Sequence, residues 1–206
     1  MPAKPLKTAL RTMAAVVLLL LAAARYGDAV ATAILPAFGW QIETLVPQMR
    51  IVELGLTRSG LDRVIRADAM PVPVVMIGDK LLPLTQQSRF HVSTLSGHVY
   101  QGGILMLGIL IAWPATGRSR YLLRLALALP MLLALSMLDV PFVLASELYA
   151  SLLELAAPDS FSLLVAWKEF LEGGGRLALA ILAAYAVIAL AESGQSRGGS
   201  ALQAER

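Results

Sequence analysis

The chain has 206 residues, of which 57% are hydrophobic and 15% are charged, and its net charge is +3. This composition excludes an ordinary soluble domain and indicates a protein that crosses a membrane several times. Cysteine is absent, which excludes disulfides, thiolate metal sites and cysteine nucleophiles. The sequence indicates neither a cofactor nor a nucleic-acid partner, so the lipid bilayer is the first expected partner.

Four segments predict transmembrane helices, each of which needs about 20 apolar residues to cross about 30 Å of hydrocarbon. The first covers residues 8–26 and the second residues 99–114. The third covers residues 121–138, and the fourth covers residues 176–191 after three glycines. We therefore expect a mainly α-helical membrane protein with four spans and a small extracytoplasmic β module between the first two.

Basic residues in short loops predict the orientation, because such loops stay in the cytoplasm. Three basic residues precede or begin the first span, and three arginines lie within residues 118–124, between the second and third spans. Residues 41–98 and 139–175 are then extracytoplasmic. Both termini are predicted to be cytoplasmic. The Gly/Ser-rich residues 193–206 predict a disordered cytoplasmic tail.

The N-terminal unit, residues 1–40, combines an anchor helix with an apolar juxtamembrane segment. Arg25 and Asp28 interrupt its apolar sequence three residues apart, so on one helix they could form a charge pair. We expect the span to end near Tyr26, because a charge pair deep in lipid is costly. Residues 1–24 also match a cleavable signal peptide, and the sequence leaves both a retained anchor and a cleaved signal open.

Residues 41–98 change from helical periodicity to short alternating segments, which are typical of half-buried strands. Val52, Leu54 and Leu56 fall on one face of the first predicted strand. Turn signals, among them Gly78-Asp79, divide the region into about five strands. We expect a small sheet or barrel-like module outside the membrane, since open sheet edges are not tolerated in lipid.

Charged residues of this module alternate with apolar ones on both sides of a turn predicted at Ser59-Gly60. Such alternation is most often a solvated sheet face. The alternative is a recognition surface, to which a partner could add a strand. The candidates for contact with a partner are Arg50, Glu53, Arg58, Arg63 and Arg66.

Residues 99–192 form the predicted three-span bundle, and residues 139–172 within it form an outward hairpin of two amphipathic helices. Glu147, Ser151 and Glu154 make one polar stripe on an otherwise apolar helix. The stripe is interpreted as part of a helical cap on the bundle. The alternative is a cation, substrate or lipid path in a small transporter or lipid-binding protein.

The sequence contains few residues suited to catalysis. His91 and His98 are the two histidines, and Asp139 is a carboxylate with which they could build a membrane-embedded hydrolase or transferase. No motif places a nucleophile beside them, and no set of ligands has the spacing of a metal site. We therefore expect a non-enzymatic protein, with the hydrolase or transferase as the alternative.

Several short sequence features along the first half of the chain, each of low specificity, match the order of features in a known protein family. Arg25-Tyr26 ends the first span, Pro36 lies in the apolar segment after it, and LVPQMRIVELGL leads into the extended region. Tyr100, Gly102 and Gly103 begin the second span, and AWPATGRSR follows it. These features resemble the exosortase H-associated family of small bacterial membrane proteins. The resemblance implies an accessory protein that supports an exosortase-type protein-sorting system, with the exosortase as its membrane partner.

Overall fold

The computed structural model describes residues 3–72, 75–77, 80–82, 88–114, 117–156 and 160–204. The chain is mainly α-helical, at 74%, with a small β part. The helices are α1 (Ala3–Leu45), α2 (His98–Ala112), α3 (Arg118–Ala156), α4 (Leu163–Phe170) and α5 (Arg176–Ala204). The strands are β1 (Met49–Ser59), β2 (Asp62–Pro71), β3 (Val75–Ile77), β4 (Lys80–Leu82) and β5 (Phe90–Leu95).

Three helical segments of the described chain are long and apolar enough to cross a membrane. They are Ala9–Leu45, Arg118–Leu155 and Leu163–Ser193. Many of their large apolar side chains are exposed, among them Leu18 and Leu129, as expected of helices that face lipid. The helix in the position of the predicted second span, α2, is shorter, at 15 residues. These helices are compatible with a multi-pass membrane protein.

The first helix is longer than the anchor that the sequence predicts to end near Tyr26. α1 is a single helix of 43 residues that continues through Pro36. At about 1.5 Å per residue it measures about 65 Å, roughly twice the thickness of the hydrocarbon core. It continues because its second half has an apolar face of its own, on which Leu35, Phe38 and Ile42 are buried.

The third helix joins the predicted third span to the first half of the predicted outward hairpin. α3 covers 39 residues and contains Pro130 and Pro141. The hairpin expected over residues 139–172 therefore does not begin with a new helix at Asp139. The helix continues past Pro141 because the second half of α3 is buried against α1 and the sheet through Val140, Leu144, Leu148 and Leu152.

A kink separates α4 from α5, as the three glycines predict. The Oγ of Ser162 accepts a hydrogen bond from the backbone N–H of Val165 at 3.5 Å and caps α4. Leu171–Gly175 form a π-helical turn in which Gly174 has a φ of 107°, a conformation that glycine tolerates best. Residues 157–159, between the two helices of the predicted hairpin, lie outside the described residues.

The last helix, α5, continues to Ala204, into residues 193–206 for which the composition predicts disorder. Extending an existing helix adds one hydrogen bond for each residue ordered, without a new nucleation cost. Its apolar part is buried through small side chains, among them Ala183 and Ala184. These pack in a second cluster together with α2 and α3.

The described residues of the sheet module form five strands, in line with the prediction of about five. β1, β2 and β5 form one antiparallel sheet in that order, and β3 pairs with β4 separately. The loop between β1 and β2 has two residues, and the first, Gly60, has a φ of 63°. This confirms the turn predicted at Ser59-Gly60. The turn predicted at Gly78-Asp79 lies outside the described residues.

A β-bulge changes which residues of β1 face the core. The register shifts between Ile51 and Glu53. Ile51, Leu54 and Leu56 pack against the core, whereas Val52, predicted to share a face with the two leucines, is 52% exposed. The prediction for Val52 is wrong because one extra residue in a strand reverses the alternation before it.

The inner face of the sheet packs against helices α1 and α3. Ile65, Ala67 and Ala69 of β2 are fully buried. They belong to one apolar cluster with Phe38 of α1 and Leu144 of α3. The sheet is therefore fixed to two long helices by a shared core.

Candidate partner-binding surface

The opposite face of the three-stranded sheet carries polar side chains and is the candidate functional site. The register places Glu53, Asp68 and His91 side by side across the three strands. Gly55, Arg66 and Ser93 form the neighbouring row. The outer sheet face is defined here as Glu53, Gly55, Thr57, Arg66, Asp68, His91 and Ser93.

Gly55 leaves a hollow in the outer sheet face. No heavy atom lies within 4 Å of the position that a Cβ would take at this residue. The hollow has a volume of about 360 Å³, and its lining includes Glu53, Thr57, Arg66 and Asp68. Ligand pockets for small molecules are mostly apolar and enclosed. A polar, open hollow is better suited to a side chain of a partner protein.

Asp68 is the electrostatic centre of the outer sheet face. Its Oδ1 lies 2.8 Å from Nε of Arg66 and 2.8 Å from Nδ1 of His91. The hydrogen bond with His91, and then that with Arg66, holds the pKa of Asp68 below its ordinary value of 3.8. The carboxylate is therefore ionised at neutral pH and orders two neighbouring side chains.

The Nδ1 of His91 has two possible hydrogen-bond partners, and the tautomer of the ring determines which of them it uses. Its Nδ1 lies within hydrogen-bond distance of Asp68 and also 3.0 Å from Nη2 of Arg66. A protonated Nδ1 can donate only to Asp68, whereas an unprotonated Nδ1 can only accept from Arg66. The Arg66–Asp68–His91 cluster can therefore rearrange its hydrogen bonds without a change of backbone.

Strand β1 is an edge of the described sheet, because it pairs there with β2 on one side and with no described strand on the other. It has 11 residues, which is long for an exposed edge. One of its backbone groups, the N–H of Ile51, donates instead to Oε1 of Glu43 at 3.0 Å. A long edge strand offers a row of peptide groups to which a partner can add a strand.

All five residues predicted to contact a partner are exposed, but they divide between two faces. The register puts Arg50 and Glu53 on the same face as Arg66, because the bulge lies between the first two. Arg58 and Arg63 are directly opposite each other at the end of the hairpin, on the side of the helices. The sequence predicted that these residues are exposed, and the strand register determines which of them share a face of the sheet.

The predicted charge pair between Arg25 and Asp28 is replaced by other contacts. Asp28 forms an ion pair with Arg63 of β2. The guanidinium carbon of Arg25 lies 5.6 Å from the centroid of the Tyr26 ring, a cation–π distance. The hairpin brings an arginine to Asp28 from a distant part of the chain, so helical spacing alone predicts the wrong partner.

The three residues of the predicted polar stripe on α3 have different surroundings. Glu147 is half-buried, and its Oε1 accepts a hydrogen bond from Nζ of Lys168 at 3.0 Å. The Oγ of Ser151 donates to the carbonyl oxygen of Glu147 at 2.9 Å. Glu154 is exposed. The contact with Lys168 joins α4 to α3, whereas the contact of Ser151 lies within α3.

The residues of the alternative catalytic set lie in two separate clusters. His98 and Asp139 line a cavity of about 10 Å³ together with Arg176, whereas His91 is on the outer sheet face. A cavity of that size accommodates about one water molecule. No group of three metal-ligating His, Asp or Glu side chains is found among the described residues. The histidines are therefore not brought together as one site.

Several charged contacts between distant parts of the chain were not indicated by the sequence, and two of them involve residues of the alternative catalytic set. Arg176 contacts Asp139 through two hydrogen bonds, and Asp68 contacts His91. Their partners are 37 and 23 residues apart in the chain, so no local spacing signals them.

No protein-family model, curated protein or solved structure matches this chain. The geometry of the outer sheet face and of the helices that hold it is therefore the observation that bears on function.

Proposed function

We propose that the chain is a non-enzymatic accessory protein of the bacterial inner membrane. It presents the outer sheet face and the β1 edge to a membrane-protein partner on the extracytoplasmic side. One observation carries this proposal: the sheet is fixed to α1 and α3 by a continuous core, while most residues of its outer face are exposed and β1 is an edge strand of the sheet that the structure describes. A surface that is already ordered loses little conformational entropy on binding.

The distribution of charges supports a topology with four spans. Each of the four long or apolar helices has a stretch without charged residues: 12–24 in α1, 99–112 in α2, 125–138 in α3 and 177–191 in α5. These stretches are the charge-free belt. Each is about 20 Å long at 1.5 Å per residue, and long basic side chains at its ends can reach the headgroups. A short α2 is therefore sufficient in a locally thin bilayer.

Charged residues border the belt at both ends. At one end, Arg124 is buried and donates to the carbonyl oxygen of Trp113 at 3.2 Å and to Glu192 at 3.4 Å. At the other end lie Asp139 and Arg176. The basic residues near the N-terminus and after α2 are at the Arg124 end, which the positive-inside rule makes cytoplasmic.

The proposed partner is an exosortase-type sorting enzyme. The support is the resemblance of about the first 125 residues to exosortase H-associated proteins. Exosortases use a cysteine nucleophile, and this chain has no cysteine. Catalysis would then belong to the partner, and this chain would position the partner or present its substrates.

Purification from native membranes in mild detergent tests the accessory role. We expect an exosortase-type enzyme, identified by mass spectrometry, to elute with the wild-type chain and to be several-fold depleted with Arg66→Glu. Glu169→Lys, on the exposed side of α4, is the matched charge-reversal control and should retain the enzyme. A wild-type chain that elutes alone, or an equal loss with both variants, argues against the proposal.

A second candidate function is lipid binding, and a groove between α1, α2 and α3 favours it. The groove has a volume of about 410 Å³ and is lined by apolar side chains, among them Ala23, Val30, Ile104 and Leu133. Native mass spectrometry would compare retained lipid in Ala23→Trp, which fills the groove, with Ala24→Trp, on an exposed position outside its lining. Loss of lipid in the first variant alone supports this function, and equal retention removes it.

A further inference from the structure

The β1–β2 hairpin turns back toward the apolar helices, and its tip lies at the end of the charge-free belt. Arg63, two residues from the tip residue Leu61, forms an ion pair with Asp28 of α1. The carbonyl oxygen of Arg63 accepts a hydrogen bond from the N–H of Ser96 at 2.9 Å, and α2 begins two residues later at His98. The tip is therefore held beside the interior of α1 and the start of α2.

Leu61 is an apolar side chain without cover. Its relative exposure is 104%, the highest of the exposed large hydrophobic residues in the described chain. Leu95, at the same end of β5, is 44% exposed. A single exposed leucine on a water-facing surface needs no explanation. Here, however, the leucine is at the tip of a hairpin that is fastened next to the start of the charge-free belt.

Charged residues of both signs lie near this leucine, and the nearest in the chain is the exposed carboxylate of Asp62. Arg58 and Arg63 face each other across the hairpin, an arrangement that destabilises a sheet unless other charges compensate. Asp28 compensates Arg63. Among the described side chains, Arg58 has no ion pair, and Arg25 contacts the Tyr26 ring rather than a carboxylate. Arg58 and Arg63 are balanced in number by Asp62 and Asp28, so the hairpin end has no net charge, and Arg58 is the cation there that a phosphate would match.

We propose that the hairpin tip is a membrane-docking site. Leu61 inserts among the acyl chains of the adjacent leaflet, and Arg58 binds the phosphate of an anionic phospholipid. Apolar insertion combined with basic charge is the mode by which interfacial segments bind membranes. Docking fixes the height of the outer sheet face above the bilayer. The inference rests on the proposed function only in requiring that the apolar helices span a membrane.

Nitroxide labelling tests this placement, because the chain has no cysteine and each label is therefore unique. The full chain carries Leu61→Cys, Val52→Cys or Leu129→Cys in vesicles of phosphatidylcholine with phosphatidylglycerol. Power saturation measures collision of each label with oxygen, which concentrates in lipid, and with a water-soluble nickel chelate. We expect the ratio of oxygen to nickel collisions at Leu61 to exceed that at Val52 several-fold.

The Leu129 label separates failure of this inference from failure of the proposed function. Leu129 is 69% exposed in the charge-free belt, so its label should be protected from nickel if α3 spans the membrane. A protected Leu129 label with a nickel-accessible Leu61 label overturns the docking site alone. An accessible Leu129 label overturns the spanning topology. Dipolar broadening between Leu61 labels would assign the tip to contact with a second copy, and would also overturn the proposal.

Arg58 is tested by its dependence on anionic lipid. With wild-type Arg58, the protection of the Leu61 label should increase when phosphatidylglycerol is added to phosphatidylcholine. Arg58→Gln should remove that increase, whereas Arg50→Gln, at the other end of β1, should retain it. If both substitutions leave the increase unchanged, Arg58 does not bind the phosphate.

Discussion

Arg176 of α5 binds Asp139 of α3 through its Nε, which lies 2.8 Å from Oδ1 and 2.9 Å from Oδ2 of the carboxylate. The two side chains are only 10% and 12% exposed. Removal of one partner leaves the other charge buried without compensation. We expect Arg176→Met to lower the free energy of unfolding by about 3–5 kcal/mol, measured by denaturant titration in detergent micelles.

The double substitution Arg176→Met with Asp139→Leu is the decisive comparison for this pair. It replaces both charges by apolar groups of similar volume, so the variant should unfold within about 1–2 kcal/mol of the wild type. If the double variant is less stable than Arg176→Met alone, the unpaired charge of Asp139 is not the cause of the lost stability. It would assign the loss to packing around α3 instead.

The kink before α5 depends on the backbone of one glycine. Gly174 has a φ of 107°, whereas Gly173 lies outside the left-handed region, and a Cβ at either residue would have open space. Gly174→Ala should therefore destabilise the chain by about 1–3 kcal/mol through backbone strain alone. Gly173→Ala is the matched control and should be close to neutral. Equal losses in denaturant titrations would show that the strain is not located at Gly174.

The contribution of Asp68 to the stability of the folded chain depends on pH in the acidic range. Its pKa lies below the ordinary 3.8 in the folded state, so its contribution to stability is present above about pH 4 and lost as the pH falls through the folded pKa. We expect the stability difference between wild type and Asp68→Asn, under about 1 kcal/mol for a partly exposed cluster, to vanish on acidification. His91→Gln removes the largest cause and should reduce this loss. If the difference grows on acidification, the pKa of Asp68 is not lowered by folding.

The junction of sheet and helices depends on its largest buried side chain. Phe38 is fully buried in the cluster that joins α1, α3 and the sheet. Phe38→Ala should cost about 3–5 kcal/mol and loosen the sheet on its helices. Hydrogen exchange would register this as reduced amide protection in β2. Trp40→Ala, at a position 72% exposed on the same helix, should change stability by about 0.5 kcal/mol or less.

The amino-acid sequence determines the features of this chain that depend on neighbours a few residues away. Hydropathy indicates a membrane protein with apolar helices, because partition into lipid depends on the composition of each segment. Alternating residues indicated the strands, and Gly60 and the glycine triplet indicated a turn and a kink, because their backbone preferences are local.

Tertiary structure alone decided the lengths of the helices and the grouping of the charges. α1 and α3 continue past Asp28 and Asp139 because distant strands bury their second halves. The bulge at Val52 moved one residue out of the core. Asp28 meets Arg63 because the hairpin folds back to α1. Such contacts form between segments far apart in the chain, so no local spacing encodes them and only packing brings them together.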